Sequence, residues 1–333
     1  MRENEILKIN DQLGFHSSLK GLKELYDQGL LGVINGVGYP NPNRSHFRSM
    51  EIWHTATDSH KYDKHGWIGR YFDNCCTGSA SPHHGVQIGS QLVQAFESRG
   101  SGGVCFPNPN TFSWKQGLGS NTTARFKALN ALASNTHEHE EVVDYLQHVT
   151  ADILLSSDAV HKASSYKRRS TSYPSGRFAR DLKIVANMIA GGLPTRIYYV
   201  SLTGFDTHAN QEGLHANLLN QFSSGISAFY KDIAQLQASR NVITICFSEF
   251  GRRVSENGSR GTDHGAAGPM FIIGDKVRAG MHGSYPTLSD LYQGDLKHTV
   301  DFRAVYSEVL NNWLQVRSED VLDSQHEHLG FLI

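Results

Sequence analysis

The chain reads as an α/β protein built on a parallel central sheet with helices on both faces. Two observations predict this. Four apolar, β-branched runs, at 31–37, 196–202, 242–247 and 269–273, have the continuous hydrophobicity of strands buried on both sides. Between and around them lie segments whose apolar residues recur at helical spacing. Strands alternating with helices favour an open sheet in which ligands gather at the carboxyl ends of the strands.

The helical segments are plain in the pattern. Leu19, Leu22, Leu25 and Tyr26 share one face of 18–28, and Leu182, Ile184, Val185 and Met188 mark 178–190. Leu218, Phe222, Ile226, Phe229 and Ile233 run through 214–236, and Phe302, Val305, Val309 and Trp313 through 299–314. Residues 75–125 are rich in Gly, Ser, Asn and Pro and read as an irregular insertion or cap within a single domain spanning 1–333. A polar helix or helix pair is expected at 126–165, and a basic, Ser-rich loop at 162–176.

Composition narrows the function classes. The 31 Lys and Arg against 32 Asp and Glu leave a net charge of -1, which gives no electrostatic footprint for nucleic acid. No apolar run is long enough for a membrane span. The first fifteen residues lack the apolar core of a secretory signal. The four cysteines form no C-x-x-C pair, and the adjacent Cys75 and Cys76 read as two free thiols rather than a disulfide, with a Cys76–Cys105 bridge as the alternative. G-x-S-x-G, P-loop and H-E-x-x-H patterns are absent.

Four strand ends carry the residues that could do chemistry. After the first strand, a Gly- and Pro-rich turn leads to Arg44 and Ser45 at a helix start. Ser45 is a nucleophile beside free backbone N–H groups, or a plain N-cap. After the second, Asp206 and His208 are suited to a divalent cation, or form a helix cap and a surface histidine, with His215 further along the helix. After the third, Glu249 could bind metal and Arg252 could clamp an anion in two places, or the two form a strand-end salt bridge. Before the fourth, Asp263 and His264 sit in a Gly-rich loop that can approach a ligand closely, or in an Asx-capped turn. His83-His84 and His137/His139 could bind metal, but read as solvated loop and helix residues.

These motifs carry a resemblance. GVGYPNPNRSHFRSMEIWHTA, GWIGRY, YVSLTGFDTHANQ, FSEFGRRVSENGSRGTDHGAAGPMFIIG and LKHTVDFRAVY resemble the bacterial family called domain of unknown function 1501, over most of the chain from Ser18 to Trp313. That family is placed in the alkaline phosphatase-like superfamily with sulfatases, phosphodiesterases and phosphoglycerate mutases. The resemblance implies a three-layer α/β sandwich with a mostly parallel sheet. It implies a hydrolase of phosphate or sulfate esters, small-molecule or glycan, that uses a divalent metal (Zn, Mn, Mg or Ca). By the same resemblance Ser45 is the nucleophile, and Asp206, His208, Glu249, Asp263 and His264 are metal ligands. Arg44 or Arg252 then holds the transferred group.

Two departures set the rival expectation. Ser45 is followed by His46, Phe47 and Arg48, so the maturation motif of sulfatases is absent. No strand and turn with a ligand Asp precedes the first strand, and no twin-arginine signal is present. A missing N-terminal segment would explain both, and the full protein would then be periplasmic or exported. The alternative is a degenerate homologue that binds an anionic glycan or envelope polymer without turnover.

Overall fold

The computed structural model describes residues 6–75, 82–100, 102–112, 156–166, 171–285 and 287–333. His137, His139 and most of the expected helix at 126–165 lie outside the described residues. Strands β1 (Ile6–Lys8) and β2 (Gly14–His16) form an antiparallel hairpin ahead of helix α1 (Lys20–Asp27). Strand β3 (Leu31–Gly38) follows, buried along all eight residues. Helix α2 (His46–Thr55) and helix α3 (Trp67–Cys75) come next.

The stretch expected to be irregular contributes two core strands, β4 (Gly85–Ile88) and β5 (Val104–Phe106). With β6 (Ile197–Val200) they form a small all-parallel sheet in the order β5-β4-β6. Helix α4 (Arg177–Ala190) precedes β6, and helix α5 (Gln211–Gln235) follows it.

The larger sheet is mixed, which corrects the expected parallel order. Strand β7 (Thr244–Cys246) is followed by a hairpin of β8 (Arg252–Glu256) and β9 (Thr262–His264), then by β10 (Gly268–Ile273). Strand β10 runs antiparallel to both β3 and β7. The hairpin reverses the chain between β7 and β10, so no crossover helix separates them and a parallel pairing is not required. Strands β11 (Gly280–His282) and β14 (Val300–Asp301) lie parallel to β3 on its other edge. Between them, β12 (Leu291–Tyr292) and β13 (Asp295–Leu296) form a short hairpin. Helix α6 (Phe302–Glu308) passes into a π-helical turn at Val309–Trp313.

Alternation along β10 divides the core. Phe271 and Ile273 join α1, α4 and α5 residues such as Leu22, Leu182 and Ile226. Met270 and Ile272 join α2, α3 and α6 residues such as Ile52, Tyr71 and Val305. Trp53 stacks on Phe302 with ring centroids 4.2 Å apart, which ties α2 to α6. Among the described residues no helix is long and apolar enough to cross a membrane. Cys75 is disulfide-bonded, contrary to its reading as a free thiol, whereas Cys105 and Cys246 are free.

Candidate metal centre

The ends of β3, β6 and β7 and the β8–β9 hairpin meet at one place. The loop after β6 brings Asp206, and the hairpin brings His264. The first residue of α2 brings His46, next to the Ser45 that the sequence singles out. Ligand atoms of His46, Asp206 and His264 all lie within 4.8 Å of one another. His208 joins them, with Nε2 at 2.9 Å from Asp206 Oδ1 and 2.9 Å from His264 Nε2.

All three imidazoles are oriented from behind. His46 Nδ1 lies 2.6 Å from Glu249 Oε1, His264 Nδ1 lies 2.6 Å from the Arg44 carbonyl oxygen, and His208 Nδ1 lies 3.2 Å from Asp263 Oδ1. A carbonyl or carboxylate oxygen accepts, so each Nδ1 carries the proton and donates. The neutral ring then offers a lone pair at Nε2. That is the arrangement of metal-binding histidines, whose second nitrogen donates to a carboxylate or backbone carbonyl.

The donor set fits a cation. Two N–H groups cannot face each other at the 2.9 Å between His208 Nε2 and His264 Nε2. His46 Nε2 is buried without a hydrogen-bond partner, although Asp206 Oδ2 is 3.2 Å away. Lone pairs and a carboxylate converging in this way repel unless positive charge lies between them. Phe250 stacks on His264 at 4.3 Å and packs against His46 at 4.9 Å, which fixes both rings.

Partial burial pushes the Asp206 carboxyl up. Its contacts with His264 and Arg252, and the nearby His208 and His46, outweigh this and hold it well below the usual carboxylate range. Asp206 therefore stays ionised. Its side chain is 48% exposed, so the centre is open on one side. Structural metal sites are closed, whereas catalytic ones keep an open position.

Several expected roles change. Glu249 is not in the converging set: Oε1 holds His46, and Oε2 accepts from Ser248 Oγ at 2.9 Å. Asp263 also stands behind the set, between His208 and the Asn257 amide. Neither expected anion clamp is free. Arg252 donates to Asp206 and to the backbone carbonyls of Phe205 and Thr262. Arg44 is paired with the buried Asp295, which Arg253 also approaches at 3.5 Å. Ser45 occupies the N-cap position of α2 but caps no N–H with its side chain, so its exposed hydroxyl is uncommitted. His215 packs against Phe205 and lies outside the cluster, as do His83 and His84.

Close backbone approach makes the convergence possible. A Cβ on Gly261 would fall 2.2 Å from the carbonyl carbon of His208, so only glycine lets the hairpin turn reach that loop. Asn257 locks the turn by accepting from Ser259 and Gly261 N–H and donating to the His208 carbonyl.

A family model described as "Protein of unknown function (DUF1501)" matches residues 5–315, and the chain belongs to that family. No curated protein matches it. Among solved structures it is similar to one described as "Crystal structure of Ps i-CgsB", at 10% identity and a TM-score of 0.42, over 94% of this chain and 69% of that one.

Proposed function

Taking membership of that family as the premise, we propose that this protein is a metal-dependent hydrolase of phosphate or sulfate esters. Its centre is His46, Asp206, His208 and His264. One observation carries the reading: three imidazoles, each tied down at Nδ1, turn Nε2 toward one ionised carboxylate on an open face. The imidazole-rich set suits zinc better than magnesium or calcium, which prefer all-oxygen shells. A bound divalent cation would supply Lewis-acid stabilisation of the charge that develops on an ester oxygen. The alkaline phosphatase-like, three-layer arrangement is part of this proposal. The two apolar clusters on either side of β10 support it.

The protein's own groups have separable tasks. Glu249, Asp263 and the Arg44 carbonyl hold the histidine rings. Arg252 holds Asp206 and carries a positive charge beside it. Ser45, flanked by Arg44 and His46, is the candidate nucleophile. The rival reading, an anion-binding protein without turnover, draws on the commitment of both Arg44 and Arg252 to carboxylates.

The test is hydrolysis of p-nitrophenyl phosphate and p-nitrophenyl sulfate by purified protein with Zn²⁺, Mn²⁺, Mg²⁺ or Ca²⁺ added in turn. Turnover that needs the metal and vanishes in Asp206→Asn is expected. Turnover indifferent to chelator and to Asp206→Asn would remove the centre from the mechanism.

A further inference from the structure

We propose that a cavity beside the centre receives the organic group of the ester, and that it selects a ring-sized group carrying no negative charge. This rests on the hydrolase reading and adds the substrate class. The cavity has a volume of about 320 Å³ and is walled by His46 of the centre and by Glu249, which holds that ring. A group attached to an oxyanion held at the centre would therefore enter it directly. The volume lies at the low end for small-molecule sites, enough for one ring with substituents but not for a length of polymer.

The remaining walls set the chemistry. Helix α2 contributes the exposed Phe47, the half-buried Met50 and Glu51 and the buried His54, and Gln94 completes the lining. Phe47 is 92% exposed and offers a bare aromatic face at the surface, and Met50 adds an adaptable apolar one. The cavity has two carboxylates, Glu51 and Glu249, and its walls include no Lys or Arg among the described residues. Glu51 is paired with Arg48 at 2.8 Å, but that cation is not a wall residue. Burial keeps His54 neutral, with its pKa pushed down to about 4, so it brings no positive charge at neutral pH. An anionic substituent would meet two carboxylates and no counter-charge, and such like-charge contacts exclude the wrong partner. A neutral or cationic ring meets apolar walls and a favourable field.

Ligand binding to the zinc-loaded full chain tests this without relying on turnover. Phenylphosphonate, 4-(aminomethyl)phenylphosphonate, 4-carboxyphenylphosphonate and inorganic phosphate would be titrated by calorimetry. The first two should bind within about threefold of each other, and the carboxylated ligand about tenfold more weakly. Glu51→Gln, with zinc stoichiometry as the folding control, should narrow that gap to about threefold, because it removes one carboxylate and leaves the Arg48 charge without its carboxylate partner. Equal binding of the carboxylated ligand, a gap unchanged in Glu51→Gln, or binding of phosphate but of no aryl ligand would each overturn the cavity assignment alone. Failure of all four ligands to bind protein that retains zinc would overturn the hydrolase reading, and the proposal with it.

Discussion

His208 and His264 face each other through their Nε2 atoms at 2.9 Å, while the Nδ1 of each ring is committed to an oxygen of a different loop. This geometry is poor as a hydrogen-bond network and good as half of a metal shell. Asp206→Ala should abolish tight zinc binding, because it removes the only carboxylate in the converging set among the described residues. Glu249→Ala should leave the shell intact but free His46 to rotate, with a loss of roughly ten- to hundredfold in affinity. Competition with a chromogenic chelator measures both. Equal effects of the two substitutions would mean that Glu249 is itself a ligand.

Asp295 links the rear of the centre to the fold. It is fully buried, and it pairs with Arg44, whose carbonyl oxygen orients His264. Asp295→Ala should lower unfolding stability by about 2 kcal/mol, less than a fully buried pair would lose, because both arginines keep some contact with water. It should also broaden the visible spectrum of the cobalt-substituted protein as His264 loosens. Denaturant titration and that spectrum are independent readouts. A stability loss with an unchanged spectrum would confine Asp295 to a structural role.

Strand positions were legible because a run such as Val33-Ile34 or Phe271-Ile272 is apolar whatever its direction. For the same reason the antiparallel course of β10 was not: hydrophobicity carries no sign along the chain. Strands β4 and β5 were hidden because each is only three or four residues long and lies among turn-forming Gly, Ser and Pro. In the site, residue types named the neighbourhood but not the order of contact. Glu249 and Asp263 have the chemistry of ligands, and only geometry shows them behind His46 and His208. His46 could have been found from its position as first residue of a helix after a buried strand, next to Ser45. Asp295 gave no signal, since its role depends on Arg44, 251 residues away in sequence.

A second buried carboxylate pins the C-terminal tail. Glu308 is 2% exposed and accepts from the N–H groups of Leu329, Gly330 and Leu332 at 2.9, 2.7 and 2.8 Å. Glu308→Ala leaves three donors unpaired and should cost about 3 kcal/mol. Glu308→Gln keeps one acceptor oxygen for two of them and should cost less. Equal losses in the two variants would mean that packing, not these bonds, sets the penalty.

His54 gives the fold an acid sensitivity. Burial depresses its pKa from 6.5 to about 4, so the unfolded chain takes up a proton that the folded chain refuses. Its contribution is fully present above pH 6.5 and is lost as pH falls toward 4. The integrated loss is up to about 3 kcal/mol. Denaturant midpoints measured across that window should fall more steeply for the native protein than for His54→Phe. Parallel curves would assign the acid sensitivity to other groups.

On the hydrolase reading, Ser45 is the residue that would decide how the ester is cut. It stands at the start of α2 with its backbone N–H bonded to Asn43 Oδ1 and its side chain capping nothing. An N-cap serine replaced by alanine normally costs about 1 kcal/mol of stability. Here the side chain makes no cap bond, so Ser45→Ala should leave stability within about 0.5 kcal/mol. Zinc affinity should also hold, because His46 and the Arg44 carbonyl stay in place. Turnover should not survive. If Ser45 Oγ attacks phosphorus or sulfur, its removal should lower the rate by at least 10³-fold, the scale of losing a nucleophile. The comparison calls for a burst measurement with p-nitrophenyl phosphate and mass analysis of the quenched protein. Native protein should carry one phosphoryl group, and Ser45→Ala none. Turnover retained in Ser45→Ala, with no phosphoryl adduct on either protein, would make water the attacking group and leave Ser45 as the first residue of a turn.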